Sequence, residues 1–191
     1  MSFPTNLWHH RDERKFNKAR QLLSPCIDEV GGAWADLGCG EGIFTAVLYE
    51  QIGPYSEIYT VDKDQRALNA LKQNFLKTYP DAHIHILHAD LTKPLLLPPL
   101  DGIVLANALH FIPNNQKASV LDDLSMKLKS KGKMIVVEYN ANISNPAVPF
   151  PLNEEQFLQL ARQLHLRKPQ IVTKVPSSFL KEMYAGTALA P

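Results

Sequence analysis

Three of the nine glycines in this 191-residue chain, Gly38, Gly40 and Gly42, fall within five positions of one another, inside the stretch Trp34 to Phe44 (WADLGCGEGIF). A short apolar run, residues 33–37, leads into them. A helical pattern over 41–51, with Phe44, Val47 and Leu48 on one face, leads out. Strand, glycine turn and helix together open a parallel α/β sheet, where glycines let the backbone turn sharply and let a ligand approach the main chain. Parallel strands need a crossover between them, so strand and helix signals must alternate along the rest of the chain.

They do alternate. Residues 57–62 (EIYTVD) predict a strand ending in an acid, and 64–77 a helix with Leu68, Leu71, Phe75 and Leu76 inward. Residues 82–88 alternate with period two, as a strand does. Residues 101–107 (DGIVLAN) form a nearly continuous apolar run, the mark of a strand buried on both faces. A helix over 114–129, a strand over 133–139 and a helix over 153–166 with an Asn cap follow. Residues 170–175 and 182–189 are joined by a turn too short for a helical crossover, so they pair as an antiparallel hairpin. A further helix over 11–24 precedes the first strand. The expected fold is α/β, a doubly wound, mostly parallel Rossmann-like sheet with an antiparallel C-terminal hairpin.

The length predicts one domain over 1–191, with a helical segment at 1–30 and a core at 31–191. Trp8, His9 and His10 are candidate lid residues. Net charge is +1, which argues against nucleic acid as a partner. The N-terminus has no apolar run before its charges, and residues 95–112 are broken by Pro98, Pro99 and Asp101, so neither a signal peptide nor a membrane span is expected. Cys26 and Cys39 are the only cysteines, which fits a reduced, cytoplasmic setting. His83 and His85 share a strand face without an obvious third ligand, and no metal is expected. Lys127, Lys129, Lys131 and Lys133 fall at a helix end and turn on the edge away from the ligand crevice, a solvated position. Prolines number 14, and seven of them (Pro94, Pro98, Pro99, Pro113, Pro146, Pro149, Pro151) follow the third, fourth and fifth strands. Stiff loops there are expected to shape a pocket.

The glycine spacing is G-x-G-x-G, one residue short of the dinucleotide fingerprint, with Ile43 where the third glycine belongs. A pyrophosphate would sit on the N-terminus of the helix, but that place carries Glu41, and Asp36 lies just before the loop. Two carboxylates repel a pyrophosphate and suit a cation. S-adenosylmethionine carries a sulfonium and an ammonium and no phosphate. Asp62 ends the second strand, where a carboxylate accepts ribose hydroxyls, and Asp90 follows the third, placed to accept from an adenine amine. Any one acid alone reads as a strand-end turn residue; three at consecutive strand ends around one glycine loop read as a site.

WADLGCGEG, supported by VDKD, HADL and LDGIVLANALHF, resembles the class I S-adenosylmethionine-dependent methyltransferases from about residue 15 to the end. The resemblance implies a seven-stranded sheet whose last strand is inserted antiparallel. It also implies Asp36, Gly38, Gly40 and Gly42 around the methionine moiety, Asp62 on the ribose, Asp90 near adenine and Asn107 lining the methyl donor. Cys39, Lys63 and Leu91, their neighbours in these motifs, complete the expected cofactor contacts. The chain departs from the family at LKSKGK, where a Pro-Gly-Gly turn is usual, and at TKPLLLPPLD, which replaces a helix. Residues 138–151 and 176–184 resemble a group of small bacterial members with no assigned substrate.

Methyl transfer is an in-line displacement that expels a neutral thioether, so positioning supplies most of the help. A base is needed only where the acceptor must lose a proton. His110, Glu138 and Tyr139 are the candidates, His110 being the best by its ordinary pKa. The acceptor is expected to be a small molecule held by loops 108–113, 140–152 and 176–184, with Phe111, Phe150, Phe179 and Tyr184 lining an aromatic pocket. An RNA or protein methyltransferase and a nicotinamide-dependent oxidoreductase are the alternatives, with a binding-only module behind them. Asn107 lacks the Pro-Pro-aromatic run of base-amino methyltransferases. Tyr59 and Lys63 have the spacing of a dehydrogenase pair but straddle a strand end, so they cannot act as one.

Overall fold

A computed structural model describes residues 7–191, with side chains described from residue 13. Seven strands form one sheet: β1 (Gly32–Leu37), β2 (Ser56–Asp62), β3 (His83–His88), β4 (Leu100–Ala106), β5 (Leu128–Tyr139), β6 (Arg167–Ser177) and β7 (Lys181–Leu189). Their order is β3-β2-β1-β4-β5-β7-β6. β1 to β5 pair in parallel, whereas β7 runs antiparallel to both β5 and β6. The seven-stranded sheet with an inserted antiparallel last strand therefore matches the expectation.

Five helices cover the sheet: α1 (Leu7–Leu23), α2 (Ile43–Ile52), α3 (Gln65–Thr78), α4 (Asn114–Ser125) and α5 (Glu154–Gln163). Phe16 and Leu22 of α1, Leu48 of α2 and Leu71 and Phe75 of α3 pack on one face. Val120, Leu121 and Leu124 of α4 and Phe157 and Ala161 of α5 pack on the other. Each such side chain, fully buried, contributes about 1.5–3 kcal/mol of transfer free energy. Local signals agree with this packing. Asp64 caps α3 by accepting from the Arg66 amide at 2.8 Å, and Asn153 and Gln156 form a capping box on α5.

Several boundaries moved by a few residues, the most between α4 and β5. The structure ends α4 at Ser125 and begins β5 at Leu128, because Leu128 pairs with Leu100 ahead of a bulge in the β4–β5 ladder. Gly102, mid-strand, is required by a close approach: a Cβ there would lie 2.1 Å from the Trp34 ring.

The parallel strands β1, β2, β3 and β4 all end on one edge, and the loops that follow them converge there, as ligand-binding loops do in open α/β sheets. The lysine-rich turn lies at the opposite edge: Lys129 pairs with Asp101 at 2.7 Å and Lys133 with Asp28. The His85 ring stacks on Tyr59 at 4.4 Å. Among the described residues, no helix is long and apolar enough to cross a membrane, and no three His, Cys, Asp or Glu side chains cluster to hold a metal. Trp8, His9 and His10 fall in the first turns of α1, outside the described side chains.

Candidate active site

The glycine loop is held from below by β2. The Gly38 and Cys39 amides donate to the Val61 carbonyl at 2.7 and 3.1 Å, and the Gly42 amide donates to the Cys39 carbonyl at 2.9 Å. Gly42 enters α2 with φ 90°, and a Cβ on it would meet Leu71 at 2.8 Å. That glycine is demanded by packing. Gly40, φ 53°, is different: a Cβ there would meet nothing within 4 Å. Its bare backbone faces a cavity of about 1280 Å³.

That cavity is lined on its sheet side by Gly38, Cys39, Gly40, Asp62, Asp90 and Asn107, with Glu41, Lys63 and Leu91 beside them. The acids after the three strands thus meet around one space. Both oxygens of Asp62 are already engaged, one by the Gly40 amide at 2.8 Å and one by the Asp64 amide at 2.9 Å. A carboxylate offers about four lone-pair positions, so two remain for a diol. Asp90 accepts from the Thr92 amide and hydroxyl, both at 2.8 Å, and those bonds hold its carboxyl below the usual range.

Two buried oxygens at the strand ends lack partners, Asp36 Oδ1 and Asn107 Oδ1. Asp36 is 1% exposed and does not itself line the cavity; its other oxygen accepts from the Thr45 hydroxyl at 2.6 Å. Burial pushes its carboxyl up to about 7, with the Asp62 charge adding to the rise. Asn107 stands in the left-handed region, φ 55°, a strained conformation that clusters at ligand sites. Unpaired buried acceptors cost about 1–3 kcal/mol each. They suit a ligand carrying an ammonium group, and with the engaged but unsaturated Asp62 they fit S-adenosylmethionine. Cys39 lines the cavity as a neutral thiol, because burial and the nearby Asp36 and Asp62 charges push its pKa up.

The far wall is aromatic. Phe111, Tyr139 and Phe179 line it with Met183, and Tyr139 meets Phe179 edge-on at 5.4 Å. Other expected residues lie elsewhere. Glu138 and Tyr184 are cross-strand partners, both 0% exposed, and Tyr184 packs with the α4–α5 core. Successive strand residues point to opposite faces. Tyr139 and Met183 therefore reach the cavity, and Glu138 and Tyr184 point away. The expectation that Tyr184 touches the acceptor is corrected accordingly: its hydroxyl donates to the Leu152 carbonyl at 3.0 Å. Phe150 does not line the cavity either, nor does any residue of 140–152. Its amide donates to His110, and its carbonyl accepts from Lys117. No proline lines the cavity, so the expectation that proline-stiffened loops shape the pocket is corrected: its wall comes from strand ends, the segment after β4, β5–β7 and α1.

His110 is 3% exposed and also lies off the cavity wall. Glu138 accepts from its backbone amide at 3.1 Å and lies 2.6 Å from its Nδ1. Its ring backs onto Phe111 at 4.3 Å between centroids. The pair pins the segment after β4 to β5. Lys117, which the sequence reading passed over, belongs to the same buried network: its ammonium donates to the Asn114 side chain and the Phe150 carbonyl, both at 2.6 Å. Burial pulls its pKa down to about 8. Arg14, Lys15 and Lys18 of α1 line the cavity and were also missed. Their spacing of three and four on one helix turn was the available signal.

A Rossmann-like sheet whose strand-end acids and unpaired acceptors lie around a bare glycine loop defines a cofactor-binding α/β fold. A family profile described as a methyltransferase domain matches residues 35–132, just over half of the chain, and the chain belongs to that family. It is a class I S-adenosylmethionine-dependent methyltransferase. A search of curated proteins returned no match. Among solved structures it is similar to the N-methyltransferase NodS from Bradyrhizobium japonicum, with 18% identity, TM-score 0.71, and 94% of this chain and 99% of that one covered. It is also similar to an S-adenosylmethionine-dependent methyltransferase from Aquifex aeolicus, with 14% identity, TM-score 0.69, and 93% and 97% covered. A third is the magnesium protoporphyrin IX methyltransferase ChlM from Synechocystis with S-adenosylmethionine bound, with 13% identity, TM-score 0.64, and 85% and 71% covered.

Proposed function

We propose that the enzyme methylates a small-molecule acceptor seated between the glycine loop and the aromatic wall. The observation that carries this is the cavity itself. Single-ligand pockets run to about 300–1,000 Å³, and 1280 Å³ exceeds that range, with acids on one side and aromatic side chains on the other. Such a space holds a donor and an acceptor together. The reduced state of Cys26 and Cys39, both free, fits a cytoplasmic enzyme.

S-adenosylmethionine supplies a methyl group on a sulfonium. Asn107 would receive its ammonium with the Asp36 carboxyl buried behind it as a counter-charge, Asp62 its ribose diol and Asp90 its adenine amine; Gly40 would let it lie against the backbone. Phe111, Tyr139 and Phe179 hold the acceptor in line, which is the larger part of the catalysis. Burial and the Glu138 charge push the Tyr139 hydroxyl up, so it remains protonated at neutral pH and orients the acceptor as a hydrogen-bond donor. His110 and Glu138 act as positioning residues that hold Phe111 in place.

Calorimetry with S-adenosylmethionine and with NAD tests the donor, and a methyl-transfer screen read by mass spectrometry tests the acceptor. Binding of NAD without S-adenosylmethionine, or transfer confined to RNA or protein, overturns the reading.

A further inference from the structure

The charges around the cavity are sorted. Glu41, Asp62, Asp64 and Asp90 come from the loops after β1, β2 and β3, whereas Arg14, Lys15 and Lys18 come from α1 on another wall. Lys63 is the one cation among the acids, and its charge helps hold Asp90 ionised. Some cations elsewhere are paired, among them Arg20 with Glu50 at 2.5 Å, Lys129 with Asp101 at 2.7 Å and Lys174 with Glu154 at 2.5 Å; what sets Arg14 and Lys18 apart is that they line the cavity. Among the described residues, Arg14 and Lys18 have no carboxylate within ion-pair distance. Lys18 is half-buried against the cavity, and Arg14 stands one turn above it at the mouth.

Two large aromatic side chains remain open beside this basic wall, Phe111 at 54% and Phe179 at 53% exposed. Exposed aromatic residues in a cleft mark recognition of an apolar ligand body.

We propose that the acceptor is an aromatic small molecule bearing an anionic group, a carboxylate or a phosphate, which Arg14 and Lys18 hold while its ring lies on Phe111, Tyr139 and Phe179. This rests on the methyltransferase reading and deepens it. An arginine fork beside an ammonium suits either oxyanion, and placing the charge at the α1 wall leaves the ring of the acceptor toward the donor side.

The test uses the full chain saturated with S-adenosylhomocysteine and three probes of similar size: 4-hydroxybenzoate, 4-nitrophenyl phosphate and the uncharged 4-hydroxybenzamide. Binding is followed by ligand-observed NMR. At least one anionic probe is expected to bind roughly tenfold or more tightly than the amide, the scale of one charge-assisted hydrogen bond; which anion binds better identifies the source of the charge. The R14Q/K18Q variant is expected to lose that preference while keeping its melting temperature and its S-adenosylhomocysteine affinity. Equal binding of the amide, binding of no probe, or a preference that survives in the variant overturns the proposal. Loss of S-adenosylhomocysteine affinity in the variant also overturns it, since the cations then serve the cofactor's carboxylate. Failure of the unaltered chain to bind S-adenosylhomocysteine instead strikes the methyltransferase reading itself.

Discussion

Replacing Asp36 by Asn is expected to stabilise the empty protein at alkaline pH and to weaken its hold on the cofactor. The carboxyl is raised from 3.8 to about 7 in the folded state. Between those two values the native state keeps a proton that the unfolded state has released, so stability falls as pH rises. The contribution is fully present below about pH 4 and is lost above about pH 7. That rise, with the relaxation and water entry that accompany a buried charge, corresponds to about 2–4 kcal/mol. Asn retains an oxygen for the Thr45 hydroxyl, so only the charge is removed. Urea denaturation of both proteins at pH 3.5 and pH 8 reads the effect. D36N should match the parent at the lower pH and exceed it by about 2–4 kcal/mol at the higher. With saturating S-adenosylhomocysteine the order at pH 8 should narrow or reverse, because the ligand's ammonium compensates the buried charge only in the parent. A gap that is the same at both pH values would refute the reasoning.

Three further outcomes follow from the same geometry. Asp62→Ala removes an acceptor for the ligand and the clasp on the Gly40 amide, and should cost about 1.5–3 kcal/mol of cofactor affinity by calorimetry; Asp62→Asn should cost less. Gly42→Ala combines φ 90° with a Cβ against Leu71, and should lower stability by about 2–4 kcal/mol in chemical denaturation. Glu138→Ala strands the buried His110 amide and ring, and a loss of about 3 kcal/mol is expected; the H110A/E138A double variant should lose less than the sum of its single changes, as measured by a double-mutant cycle.

Much of the fold was legible because the relevant physics is local. Gly38, Gly40 and Gly42 announce a turn between a strand and a helix, period-two and helical patterns mark the elements, and the short link between β6 and β7 leaves only a hairpin. The proposed cofactor half of the site was legible for the same reason: in a parallel sheet every strand ends on one edge, so Asp62, Asp90 and Asn107 are brought to one cavity by topology, with Asp36 buried behind it. The acceptor half was not. Whether a residue on β5 or β7 faces the cavity depends on register and on which helices cover each face, and that separated Tyr139 and Met183 from Glu138 and Tyr184. Phe150 sits in an apt loop, but Lys117 and His110 tie its backbone outward. Arg14 and Lys18 read as the polar face of an ordinary amphipathic helix until α1 packs across the end of the sheet and turns them toward the ligand. The sequence by itself determined the fold and placed the proposed donor residues at the strand ends, because both follow from short-range patterns and strand direction. Only the tertiary structure decided the acceptor side, because that wall is assembled from α1, β5 and β7, elements distant in the chain that meet only when the core closes.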